Sequence, residues 1–311
     1  MSKKWSGSIM VLSAATAWGI SGVSGQYLMS HGIHVDLLTS LRLLLSGLFL
    51  CGLALVTQKE HFKVIIKQPK LLLAILFFAI FGLLMNQYAY LNAVQYTNAG
   101  TATVLQFLSP IFILLYVSLA EKRKPSVTEC VAMVLAILGT LVIATHGNLS
   151  QLAITPKGLF WGLLSAVTAA LYIIIPARLI EKWGSLVIIG LGMLFAGSFF
   201  PFVTLAWQHP LPLEGHNILA LFGLIGVGTI FAYTIFLKGT ALVGPVNGSL
   251  LSSVEPVASV AFAILLLKEV FYPIDLLGMT LILASVLLIS YRDWIIMHNV
   301  KRIDEGDKLS I

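Results

Sequence analysis

The sequence predicts an all-α integral membrane protein of ten transmembrane helices, arranged as two inverted five-helix repeats. Three observations predict it: a composition too apolar for a hydrated surface, uncharged runs of membrane-spanning length, and a segment pattern that recurs in the two halves.

Of the 311 residues, 58% are hydrophobic and only 10% charged, with a mean hydropathy of +0.96. Soluble domains carry about 25% charged residues, so this chain cannot cover itself with a wetted exterior. Trp5 to Val35, Leu71 to Ala120, Trp183 to Leu213 and Gly215 to Leu237 contain no Asp, Glu, Lys or Arg. A bilayer core of ~30 Å takes roughly 20 apolar residues per helix, and each run holds one or two such helices. The strict apolar/polar alternation of a membrane barrel is absent. The first apolar run, behind Lys3 and Lys4, is too long for a cleaved leader and reads as the first helix. Cys51 and Cys130 fall inside predicted spans and read as packing residues, with neither a disulfide framework nor a metal-ligand pattern.

The predicted spans are 7–29, 36–57, 71–92, 97–119, 127–146, 157–178, 185–206, 217–238, 245–267 and 274–293. Pro69, Pro125, Pro156 and Pro273 stand at helix starts, where a missing N–H costs little. Loop charge gives the orientation. With the N-terminus in the cytoplasm, cytoplasmic segments hold Lys3, Lys4, Lys59, Lys63, Lys67, Lys70, Lys122, Arg123, Lys124, Arg178, Lys182, Lys238, Arg292, Lys301, Arg302 and Lys308. External segments hold only Lys157 and Lys268. Both termini are therefore expected on the cytoplasmic side of the cell membrane. The net charge of +6 is explained by this bias, and no nucleic-acid face is expected.

The repeat supports the same layout. Leu12-Ser-Ala-Ala-Thr-Ala17 in the first span returns as Leu164-Ser-Ala-Val-Thr-Ala169 in the sixth. Thr101 to Pro110 in the fourth aligns with Asn247 to Pro256 in the ninth, each ending in a mid-helix proline. Five spans is an odd number, so the second copy enters the membrane upside down, and a shared site is expected near the midplane between the halves. The expected division is 1–148 for the first repeat, 149–293 for the second, and 294–311 for a cytoplasmic tail.

Several short motifs carry a resemblance. They are Ala17-Trp18-Gly19, Leu41-Arg42, Asn98 through Pro110, Val243-Gly244-Pro245, Glu255-Pro256 and Leu267-Lys268-Glu269. With them the chain resembles the drug/metabolite transporter superfamily, specifically its EamA family, from about residue 8 to 292. The family's acidic residue after the first half's fourth span is here Glu121-Lys122-Arg123-Lys124, displaced from the position matching Glu269. The resemblance implies ten helices, a cavity between the halves, and carriage of amino acids, other metabolites or drugs, often as export.

Glu255 sits mid-span before Pro256, where an ionised carboxylate costs several kcal/mol. It must face water, find a partner such as Lys238, or hold a proton, which makes it the expected proton-coupling residue. Pro110 and Pro256 are expected to kink their helices and free the carbonyls of Gln106 and Ser252. Gln106 and Ser109 occupy the first-half counterpart of the Glu255 segment. Arg42 lies about two turns inside its span, and either snorkels to the headgroups or points inward to a carboxylate. Trp18 sits at a span centre and suits a cavity wall or cationic group. Asn86, Gln87, Tyr88, Tyr90 and Asn92 crowd one half of the third span, and Tyr172 and Tyr233 are further candidates for the lining. Trp5, Trp161, Trp207 and Trp294 read as interfacial anchors. Lys238 reads as snorkelling. His31, His34, His61, His146, His209, His216 and His298 lie in loops or at span ends.

No phosphate-binding Gly-rich loop with Lys is present, and no His/Cys/Asp/Glu spacing matches a metal site, so neither cofactor nor catalytic residue is expected. The reading is a secondary transporter working by alternating access. Its partners are a small-molecule substrate, an amino acid or related amine, the lipid bilayer, and protons as the ion Glu255 would serve. A multidrug or cationic-compound exporter and a channel-like facilitator are the alternatives, and monomer and homodimer are both open.

Overall fold

The computed structural model describes residues 3–120, 122, 124–148 and 152–308. Glu121 and Arg123, in the loop after span 4, and residues 149–151, at the expected junction of the halves, lie outside these.

Among the described residues ten helices are long and apolar enough to cross a membrane. In order, spans 1 to 5 are Lys4–Ser30, Val35–Thr57, Pro69–Tyr96, Ala99–Ala120 and Val127–Thr145. Spans 6 to 10 are Pro156–Trp183, Ser185–Thr204, Gly215–Val243, Leu250–Leu267 and Pro273–Arg292. They follow the expected ones closely, with spans 3, 6 and 8 running further at their C-terminal ends. Local capping chemistry sets those ends. Span 6 continues until Gly184 and span 8 until Gly244, whose φ values of 86° and 87° only glycine adopts without strain. Span 3 continues to Tyr96 because Asn98 is the cap of the next helix, its side chain accepting the Thr101 N–H at 2.8 Å. The last helix continues without interruption from Pro273 to Lys308.

Two irregularities recur at corresponding places in the halves. The third span of each half carries a π-helical segment, Ala79–Leu84 in one and Phe222–Phe231 in the other. The fourth span of each half is broken outright, where a kink was expected. Span 4 consists of Ala99–Gln106 and Ser109–Ala120, and span 9, counted with the turns that precede Leu250, of Pro245–Ser252 and Val254–Leu267. The proline ring displaces the carbonyl four residues back, and Gln106 and Ser252 are the last residues of their first segments. Pro110 and Pro256 then sit in the first turn of the second segments, where no N–H is needed.

The halves interlock. Span 1 packs on spans 8 and 9 of the other half, and span 6 packs on spans 3 and 4. Spans 2 and 7 lie along one another, as do spans 5 and 10. Glycine permits the close approach of both pairs. A Cβ on Gly139 would stand 2.7 Å from the Gly278 carbonyl oxygen, and one on Gly278 would stand 2.9 Å from that of Gly139. Polarity runs inside out relative to a soluble protein. Val56, Leu119, Phe202, Leu219 and Leu265 are exposed on the outside, while Arg42, Asn86, Gln87, Thr103 and Ser259 are buried.

Candidate functional site

Between the halves lies a cavity of about 820 Å³. Trp18, Arg42, Asn86, Tyr90, Gln106, Ser109, Tyr172, Tyr233 and Glu255, drawn from seven spans, all line it, together with Pro110. Pro256 is buried behind Glu255 and contributes no lining. The cavity reaches toward the end of the bundle that carries the chain termini, where Val117, Thr240, Glu129 and Arg292 belong to its wall. At the opposite end the halves are joined through Gln26. Its side-chain Oε1 accepts the Ala99 N–H at 2.8 Å and its Nε2 donates to Glu269 Oε1 at 2.5 Å.

Arg42 points inward. Its side chain is buried, and Nε donates to Thr229 Oγ1 at 2.9 Å, which in turn donates to the Leu224 carbonyl at 2.9 Å. The latter bond spans five residues and exists because Leu224 and Thr229 lie in the π segment. Arg42 Nη1 is buried with no hydrogen-bond partner. Glu255 faces the same space, close enough for the two charges to interact, yet among the described residues it makes no ion pair. The pair with Lys238 is not formed, since Lys238 is exposed. An arginine edge lacking an acceptor and an acid that is not ion-paired to it thus share one cavity.

Around them the lining is held by side-chain hydrogen bonds. Gln106 Nε2 donates to Asn86 Oδ1 at 3.0 Å, joining the break in span 4 to span 3. Tyr90 and Thr103 pair through their hydroxyls at 2.9 Å, and Thr103 meets Ser259 of span 9 at 3.2 Å. Tyr172 and Tyr233 lie near one another in the cavity wall. Trp18 stands edge-on to Tyr233 at 5.6 Å and tilted against Phe236 at 4.9 Å.

Of the polar cluster on span 3, Gln87 also lines the cavity, while Tyr88 and Asn92 do not. Asn92 instead donates to the Tyr88 carbonyl at 2.9 Å. Trp161, expected as an interfacial anchor, is half-buried and edge-on to Tyr88 at 5.6 Å, because the end of span 3 covers it. Trp5 and Trp207 are exposed at their span ends.

Sequence reasoning missed the ion pair of Glu129 with Arg292. Glu129 is fully buried one turn into span 5, where its side chain accepts the Ser126 N–H at 2.5 Å while Ser126 Oγ accepts the Glu129 N–H. This capping box was the available signal: Ser126 followed three residues later by Glu129. Also unseen was a gathering of His34, Asp36 and His209 outside the cavity. Spacing along the chain offered no metal-ligand pattern there, since 173 positions separate Asp36 from His209.

Ten apolar helices in two inverted halves, with broken helices and a charged, aromatic-walled cavity at the seam, are the architecture of a membrane transporter. The chain belongs to the EamA-like transporter family, whose model matches it twice, over residues 5–145 and 156–291. YicL of Salmonella typhimurium, named an uncharacterized inner membrane transporter, is 40% identical over 286 residues, spanning 91% of this chain and 95% of its own. YetK of Bacillus subtilis, named an uncharacterized transporter, is 25% identical over 291 residues, 91% of this chain and 87% of its own. One crystal structure superposes with a TM-score of 0.60 at 16% identity, over 92% of this chain and 96% of its own, a likeness of fold alone. Family and relatives indicate a multi-pass membrane transporter with a small-molecule substrate, rather than an enzyme.

Proposed function

We propose that the chain is a secondary active transporter of an amino acid or related amine, working by alternating access, coupled to protons through Glu255, with export as its direction. The observation that carries this is the shared cavity of Arg42 and Glu255, opposite charges that make no ion pair with each other or with any other described residue, Arg42 Nη1 having no hydrogen-bond acceptor. A buried cationic N–H left without an acceptor is costly, and a substrate carboxylate would relieve it. Glu255 would then take the ammonium group or, in its absence, a proton. Trp18, Tyr90, Tyr172 and Tyr233 offer ring faces to the same cationic group. A volume of about 820 Å³ lies within the ~300–1,000 Å³ of small-molecule sites. If the end carrying the termini is cytoplasmic, as the Lys/Arg bias argues, the cavity in this conformation reaches toward the side from which an exporter loads.

The test is flux of labelled amino acids in liposomes holding the purified chain, with and without a pH gradient. Saturable uptake stimulated by the gradient is expected, and Glu255→Gln should abolish the stimulation while leaving substrate exchange at equilibrium. Gradient stimulation that persisted unchanged in the Gln variant would remove Glu255 from the mechanism, and absence of saturable amino-acid flux would remove the substrate class. A cationic-compound exporter is the second reading, favoured by the aromatic wall. It requires that Arg42→Leu leave flux of organic cations intact. Saturable counterflow separates both from a channel-like facilitator.

A further inference from the structure

We propose that His34, Asp36 and His209 form a binding site for a divalent transition metal of the zinc type, at the end of the bundle opposite the chain termini. The three side chains come from two loops far apart in sequence. His34 caps span 2, with its Nδ1 accepting the Asp36 N–H at 3.3 Å, and Asp36 sits in that helix's first turn. His209 follows the short turn Ala206–Gln208 after span 7, where Leu205 adopts a left-handed φ of 52° and directs the chain back over the helix ends.

The geometry is close to that of a chelate. Asp36 Oδ2 lies 3.3 Å from His34 Nδ1 and 3.9 Å from His209 Nε2, and one ligand atom from each residue can be chosen so that all lie within 4.8 Å of one another. Ligand atoms ~2.0–2.2 Å from a tetrahedral zinc stand about 3.3 Å apart, a spacing His34 and Asp36 already have, while His209 must close in and His34 must turn from its capping bond to the Asp36 N–H. Both rings place a nitrogen near the same carboxylate, and they are stacked with centroids 3.9 Å apart and planes 10° from parallel, so one ring must turn about its Cβ–Cγ bond for both in-plane lone pairs to meet a single ion. A second observation points to a ligand. Asp36 Oδ1 is buried without a hydrogen-bond partner, on a side chain only 14% exposed. The histidine side chains are 44% and 31% exposed, which leaves a route for the ion and a coordination position for water.

Two imidazoles with one carboxylate suit zinc, nickel or copper, and not magnesium or calcium, which favour all-oxygen shells. None of the three residues lines the substrate cavity, so the site is separate from the proposed transport chemistry. His34 and Asp36 belong to the first half and His209 to the second, so a bound ion would tie the halves together at the end where Gln26 and Glu269 also meet.

The experiment uses the full chain in detergent, purified without a polyhistidine tag and stripped with chelator. Zinc is titrated with elemental analysis of the dialysed protein, alongside thermal unfolding. One zinc per chain is expected, with a rise in unfolding temperature that magnesium does not produce. Both effects should vanish in His209→Ala and Asp36→Asn, and persist in His31→Ala, a histidine of the same end that stacks on Tyr27 instead. Zinc bound equally by His209→Ala would assign it to surface histidines and overturn the site. If a variant fails to fold, cobalt on the unsubstituted chain decides. Visible absorption of tetrahedral intensity is expected, and its absence overturns the proposal.

Discussion

Gly47 and Gly197 stand in the same relation to each other's helix. A Cβ on Gly47 would collide with the backbone nitrogen of Leu194, and one on Gly197 with the backbone nitrogen of Leu44. The offset between the two glycines equals that between the two leucines, so spans 2 and 7 meet through one contact seen from both sides. It is the signature of an inverted duplication written in packing rather than in sequence identity.

Gly47→Val should therefore prevent folding, because the obstructing atoms are backbone and cannot rotate away. Gly52→Val, on the same helix with nothing within 4 Å of its Cβ position, should be tolerated. Size-exclusion profiles of the detergent-solubilised variants check this. A monodisperse Gly47→Val protein with unchanged melting would show that the spans do not pack as described.

Thr229→Val should weaken substrate binding without removing any group from the cavity wall. It leaves Arg42 Nε without its acceptor, at a cost of about 1–3 kcal/mol, and frees the guanidinium from its orientation. Since each ~1.4 kcal/mol is tenfold in affinity, a loss of about tenfold or more is expected for a carboxylate substrate. Arg42→Lys, which keeps the charge and loses the planar set of donors, should show a similar loss. Binding titrations of the purified variants measure both.

Thr103→Val removes the hydroxyl that joins Tyr90 of span 3 to Ser259 of span 9. Hydrogen bonds between membrane helices average about 0.6 kcal/mol, so a destabilisation of about 1 kcal/mol is expected from the two. Reversible unfolding in mixed micelles reads it, and an unchanged unfolding free energy would mean these contacts are neutral.

Glu129→Gln should destabilise more than Thr103→Val, because it leaves the Arg292 guanidinium without its counter-charge beside a fully buried side chain. The double variant Glu129→Gln with Arg292→Gln should recover part of the loss. A double-mutant cycle in melting temperature measures the coupling, and strict additivity would show that the pair contributes nothing jointly.

The ten spans were legible because hydrocarbon solvent imposes length and apolarity on each of them, and the site residues because polar groups at that depth are conspicuous. Glu255, Gln106 and Trp18 could be picked out for being in the wrong medium. Whether Arg42 snorkelled or turned inward was not readable, because two turns of helix is within reach of the headgroups either way and Thr229 is 187 positions distant. Glu129 and Arg292 escaped notice because charges at span ends look interfacial until tertiary packing buries them. The trio around Asp36 depends on two loops meeting, which no local spacing encodes. The π segments left no pattern beyond scattered glycines, since one extra residue per turn hardly alters a hydrophobic run.

A π turn is an α turn holding one surplus residue, and in span 8 that surplus is what lets the Thr229 hydroxyl reach the Leu224 carbonyl while it meets Arg42. Were the surplus to migrate one position along the helix, Thr229 would swing by about 100° around the axis, the angle per residue of an α-helix. The guanidinium would be released without any helix sliding or tilting. Such a peristaltic step would let the occupant of the pocket change the grip of its own anchor, and span 3 carries a segment of the same kind in the other half.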